Sequence, residues 1–114
     1  MSTLTGLRIT PKGSVETVEL DESNLLDSFY SAIGCELIQA VRLGGNISAI
    51  FDEESKLTGA EPNVVASLVA ETLSFRFLPS DYLAGAVIFL GHTPHGEHAS
   101  LTEEQRQAVL LPTE

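Results

Sequence analysis

Residues 47–92, ISAIFDEESKLTGAEPNVVASLVAETLSFRFLPSDYLAGAVIFLGH, decide the fold. Ile47, Ala49 and Phe51 alternate with more polar neighbours, which predicts a strand. Asp52-Glu53-Glu54-Ser55 closes it with a solvated turn. Pro62 suits the first turn of a helix, where its missing N–H costs little. Val64, Val65, Leu68, Val69 and Leu73 then recur at helical spacing, while Ala66 and Ala70 allow close packing. That helix is expected to fray from Ser74 and to stop at Pro79. Residues 84–90 are apolar on both faces, the mark of a central strand covered from two sides or by an oligomer.

Working outward, residues 4–10 and 14–20 alternate on either side of Pro11-Lys12-Gly13, the pattern of a β-hairpin. Its face with Leu4, Val18 and Leu20 is expected to meet the core. Asp21-Glu22-Ser23 supplies capping and acidic residues for a helix start. Leu25, Leu26, Phe29, Tyr30 and Ile33 form its apolar stripe, and Gly34 its stop. Residues 35–43 alternate again, and Gly44-Gly45-Asn46 can turn the chain tightly into the strand that begins at Ile47. Ser100-Leu101-Thr102-Glu103 has the spacing of a capping box. It opens a last helix running through Leu110, which Pro112 ends.

Together these segments predict one α+β domain spanning residues 1–114. Its sheet should be mixed or mostly antiparallel, of about five strands, with two to three helices. Leu26, Phe29, Ile33, Val65, Leu68, Val87 and Phe89 are the expected core.

Sixteen acidic residues face six basic ones, a formal net charge of −10. Arg8, Lys12, Arg42, Lys56, Arg76 and Arg106 are scattered singly. Nucleic-acid binding needs clustered Lys and Arg against phosphates, so direct binding is disfavoured, as is an anionic membrane. No apolar run approaches the roughly 20 residues that span a bilayer. The single Cys35 cannot form an internal disulfide, and the start of the chain has neither a basic region nor an apolar signal core. A cytoplasmic setting is the expectation.

Several of these pieces carry a resemblance. They are Phe51-Asp52-Glu53-Glu54, Lys56-Leu57, Gly59, Pro62-Asn63 with Ala66, the strand from Gly85 to Gly91, and Ser100-Leu101-Thr102-Glu103-Glu104-Gln105. From about Leu4 to Leu110 the chain resembles an uncharacterised domain family of short acidic proteins carried by bacteria, plasmids and bacteriophages. The resemblance implies an accessory gene, often on a mobile element, with no catalytic residues and no activity to carry over. The 92–98 loop is not part of that pattern.

His92-x-x-His95-x-x-His98 is the sharpest chemical feature. Three imidazoles in seven residues, with Glu97 beside them, suit zinc or nickel. Pro94 and Gly96 place the run in a loop, however, where the spacing enforces no common face. No serine stands in a Gly-x-Ser-x-Gly elbow, and Cys35 has the apolar surroundings of an inert thiol. Gly44-Gly45 is too short to cradle a phosphate.

The expectation is a non-enzymatic accessory protein, without cofactor, that binds a basic rather than an acidic protein. Its gene is expected on a phage or mobile element, and a homo-oligomer is compatible with this. The first alternative is a nucleic-acid mimic acting on a DNA-processing protein. Its carboxylates would come from Glu16, Glu19, Asp21, Glu22, Asp27, Asp52, Glu53 and Glu54. The second is a metal-dependent hydrolase built on His92, His95 and His98.

Overall fold

The computed structural model describes residues 3–77 and 81–113. Along the chain run β1 (Thr3–Ile9), β2 (Val15–Asp21), α1 (Leu25–Ile33), β3 (Ile38–Arg42) and β4 (Ile47–Asp52). They are followed by α2 (Val64–Thr72), β5 (Val87–His92), β6 (His98–Ala99) and α3 (Glu103–Leu110). The strands form one sheet in the order β2-β1-β5-β4-β3, with the short β6 also paired to β5. Every pairing is antiparallel. The fold is α+β. Among the described residues, no helix is long and apolar enough to cross a membrane.

β5 lies in the middle of the sheet, as its two apolar faces require. Successive side chains point to opposite faces, so β5 serves two cores. Val87 and Phe89 join Leu7, Ile9, Ile47 and Ala49 under Ala66, Val69 and Ala70 of α2 and Val109 of α3. Ile88 and Leu90 join Leu4, Leu20 and Ile50 under Phe29 of α1. Full burial of each such large side chain contributes about 1.5–3 kcal/mol. Both faces of the central strand are covered within one chain, so no oligomer is needed to complete the core. The first hairpin buries Leu4 and Leu20 on the expected face, and Leu7 and Ile9 on the opposite face as well.

Local stops and turns follow the sequence. Gly34 ends α1 in the left-handed region (φ 81°), donating to the Tyr30 carbonyl at 2.8 Å. Gly44-Gly45-Asn46 joins β3 to β4. At Gly6, β1 passes so close to β5 that a Cβ would stand 2.7 Å from the Phe89 carbonyl oxygen. Only glycine fits there.

Four expectations need correction. Leu26 is 52% exposed and Leu68 48% exposed, so neither is core. In nine-residue helices lying on a sheet, only one stripe reaches the sheet. Phe29 supplies it in α1, and Ala66, Val69 and Ala70 supply it in α2. The central strand begins at Val87, because Gly85 (φ 74°) bends the chain and leaves Ala84 in an isolated bridge with Pro62. Pro62 therefore precedes α2, whose cap is Asn63, accepting from the Ala66 N–H at 3.0 Å. The capping box of α3 is built two residues later than expected, on Thr102 and Gln105. The Ser100 hydroxyl instead accepts from the Thr5 N–H. Pro79, the expected helix stop, lies outside the described residues; α2 ends at Thr72.

Candidate functional site

The residues from His92 to His98 form a tight hairpin that joins β5 to β6. Thr93 N–H donates to the Glu97 carbonyl at 2.8 Å, and His92 and His98 become direct cross-strand partners. His95 sits at the exposed turn between them. Two of the three histidines are thus brought together and the third is not. Among the described residues, no group of three or more His, Cys, Asp and Glu side chains is arranged to hold a metal.

A serine, an arginine and a phenylalanine adjoin the pair. Ser48 Oγ lies 2.8 Å from His92 Nδ1. Arg42 is the cross-strand partner of Ser48, and a methyl group on Gly96 would run into its guanidinium. His98 packs edge-on against Phe29 at 5.4 Å, and its Nδ1 is buried without a hydrogen-bond partner among the described residues. Burial, then the Arg42 charge, lowers the His92 pKa from its ordinary value. Burial, then His92, then Arg42, lowers that of His98. Ser48 and His92 have the spacing of a nucleophile and base, but Ser48 is only 3% exposed. Arg42 also opposes the imidazolium that a general base must become. The same charge disfavours a bound cation.

A lowered folded-state pKa means that the unfolded chain binds more protons below about pH 6.5. Stability is therefore full above that value and is lost as pH falls toward the folded-state pKa. Thermal unfolding between pH 8 and pH 5 should show a midpoint that drops on acidification, and a shallower drop in His98→Gln. Equal slopes for the two proteins would contradict the assignment to His98.

The carboxylates singled out in the sequence do not all share a face. Glu16 is ion-paired with Arg8 at 3.0 Å on the α1 side of the sheet. Glu19 and Asp21, at odd positions of β2, point to the other side. Asp21 accepts from the Ser23 N–H, with Glu22 and Asp27 following in the next two turns. Asp52, Glu53 and Glu54 lie at the end of β4, where the Asp52 side chain accepts from the Glu54 N–H at 2.8 Å. β1 and β5 stand between β2 and β4, so the two groups are roughly 14 Å apart across the sheet alone. Cys35 is a free thiol; burial, then the Asp52 charge, raises its pKa and keeps it protonated.

A further concave feature lies elsewhere. A cleft of about 190 Å³ opens beside β3 on the α2 side. Val41, Phe51, Phe75, Phe77 and Leu83 form its apolar wall, with the Phe75 and Phe77 rings edge-to-face at 4.7 Å. Gln39, Glu53, Lys56, Leu57, Asp81 and Tyr82 form its exposed rim. Lys56 is ion-paired with Asp81 and lies 4.8 Å from the centre of the Tyr82 ring. Tyr82 also borders a shallow groove along α2 with Val64 and Leu68. Leu57 is 85% and Val64 72% exposed, so apolar surface continues from the cleft over the helix.

Sequence reasoning missed this cleft because its walls come from β3, β4 and the chain after α2. The one available signal was Phe75-Arg76-Phe77, aromatic residues just past the end of a helix. A family model described as a domain of unknown function (DUF3846) matches residues 4–112, and no activity is established for that family. No curated protein and no solved structure matches the chain.

Proposed function

We propose that this chain, which belongs to the DUF3846 family, is a non-enzymatic accessory protein that binds another protein. The observation that carries this reading is the apolar surface running from the cleft through Leu57 and Tyr82 to Leu68 and Val64. Contiguous exposed apolar residues rimmed by charge are the usual form of a protein-binding patch. The adjoining Glu53 and Glu54, on a chain of net charge −10, suit a basic partner. The resemblance to plasmid- and phage-borne proteins fits a role on a host protein in the cytoplasm.

Nucleic-acid mimicry is the weaker reading, because it needs carboxylates arrayed along one face. A metal-dependent hydrolase is weaker still, with His95 turned from the other two imidazoles and Arg42 beside them.

Affinity capture from the natural host at two salt concentrations tests the proposal. One partner should be recovered, more at low salt than at high. The double variant Leu57→Glu, Tyr82→Ala should lose at least tenfold in affinity, as expected when interface anchors are removed. Capture unaffected by the double variant overturns the surface. Stoichiometric zinc in untagged protein, lost in His95→Ala, would overturn the non-enzymatic reading.

A further inference from the structure

We propose that the outer edge of β3 takes an extended segment of the partner as an added strand, with one bulky apolar side chain of that segment seated in the cleft. This rests on the protein-binding reading and names how the partner is held.

β3 ends the sheet, and among the described residues no strand pairs with its outer side. The direction of its free groups follows from two bonds. Leu43 N–H donates to the Ile47 carbonyl at 2.8 Å, and Glu53 N–H donates to the Leu37 carbonyl at 3.1 Å. Antiparallel ladders alternate, so the odd-numbered residues of this strand bond to β4. The N–H and C=O groups of Ile38, Ala40 and Arg42 then point outward. Their spacing matches the alternate backbone groups of an incoming strand, the recognition mode of strand addition.

Side chains select what is added. Gln39 and Val41 point to the α2 side and line the cleft. A peptide residue paired opposite either one directs its own side chain to that side, over Phe75 and Phe77. A cleft of about 190 Å³ holds one large apolar side chain. Peptide residues next to it point to the α1 side. Those two places before or after it share its side and face the rim to which Glu53 belongs, and the peptide's two ends lie near the acidic turn or near Arg42. The acidic turn favours Lys or Arg flanking the apolar anchor.

A second copy of this chain is the poorer occupant. Its own β3 offers only Gln39 and Val41 to the α2 side, leaving both clefts unfilled, and it brings another −10 of charge.

A random heptapeptide library displayed on phage, selected against the whole protein, is the probe. Selected peptides are resynthesised with a fluorophore and measured by anisotropy. They should converge on a bulky apolar residue flanked by Lys or Arg, and should shift the amide NMR signals of Ile38, Ala40 and Arg42. Ala40→Pro removes an outward N–H without touching a bond to β4, a position where an edge strand tolerates proline. It should weaken binding at least tenfold with the circular dichroism spectrum unchanged. Val41→Phe, which fills the cleft and leaves the edge intact, should do the same, so the test survives if either variant fails to fold. The proposal is overturned if the selected peptides share no apolar anchor, or bind folded variants as tightly as the natural protein. It is also overturned if the edge proves to be the seat of a concentration-dependent dimer that Ala40→Pro dissolves. A partner lost by Leu57→Glu, Tyr82→Ala but kept by Ala40→Pro rejects strand addition and leaves the protein-binding reading standing.

Discussion

Asn63→Asp should leave the protein unfolded or nearly so at neutral pH. Asn63 is fully buried and uses both amide donors, to the Ile9 carbonyl at 2.9 Å and the Gly85 carbonyl at 2.8 Å. Its oxygen accepts from the Ala66 N–H and so caps α2. One side chain thereby joins β1, the bend before β5 and the helix above them. Aspartate has the same shape, but sets a buried carboxylate against two carbonyl oxygens. Desolvation and the lost donors raise its pKa, so the defect grows as pH rises through the ordinary aspartate range near 4. Acidification toward that range should partly restore the variant, opposite in sign to the histidine effect in the natural protein. Asn63→Ala loses the cap and strands the same carbonyls without adding charge, at a cost of about 3–5 kcal/mol. Urea unfolding of the three proteins at pH 5 and pH 7 checks both magnitude and sign. A loss below about 1 kcal/mol in Asn63→Ala would mean that water replaces the amide and that the site is not closed.

Phe89→Ala should cost about 3–5 kcal/mol. Phe89 has no exposed surface, pairs with Leu7 on one side and Ala49 on the other, and packs in the core beneath α2 and α3. Against a typical total of about 5–15 kcal/mol, that leaves a marginal fold. Leu26→Ala is the control: half-exposed on α1, it should change stability by no more than about 0.5 kcal/mol. Equal urea midpoints for the two variants would refute the placement of β5 at the centre.

Elements with a local cause were legible in the sequence. The turn at Pro11-Lys12-Gly13, the stop at Gly34 and the Gly44-Gly45-Asn46 connection each follow from backbone preferences within a few residues. The central strand was legible because residues 87–90 are apolar on both faces, which only a doubly covered strand tolerates. Choices between neighbouring residues that each suit a helix start were not legible. Asn63 outcompetes Pro62 as the start of α2 because its amide also meets the Ile9 and Gly85 carbonyls, contacts that exist only after folding. Thr102 takes the cap of α3 because Ser100 is engaged by Thr5, nearly the whole chain away. The candidate site was the least legible. Arg42, Ser48, His92 and His98 converge through strand register, and the cleft needs three separated segments, so neither has a signature at any fixed spacing.

The place of β5 between two hairpins has a consequence during synthesis. β1 and β2 are made first and pair with each other; β3 and β4 follow and pair with each other. No strand pairing joins these two ribbons until residues 87–92 have left the ribosome and slipped between them. Until then the nascent chain carries two half-sheets, each with a bare apolar side and an open margin that invites proteases, chaperones or another nascent copy. The last-made strand acts as the zip, and its arrival turns two fragile ribbons into one cooperative unit.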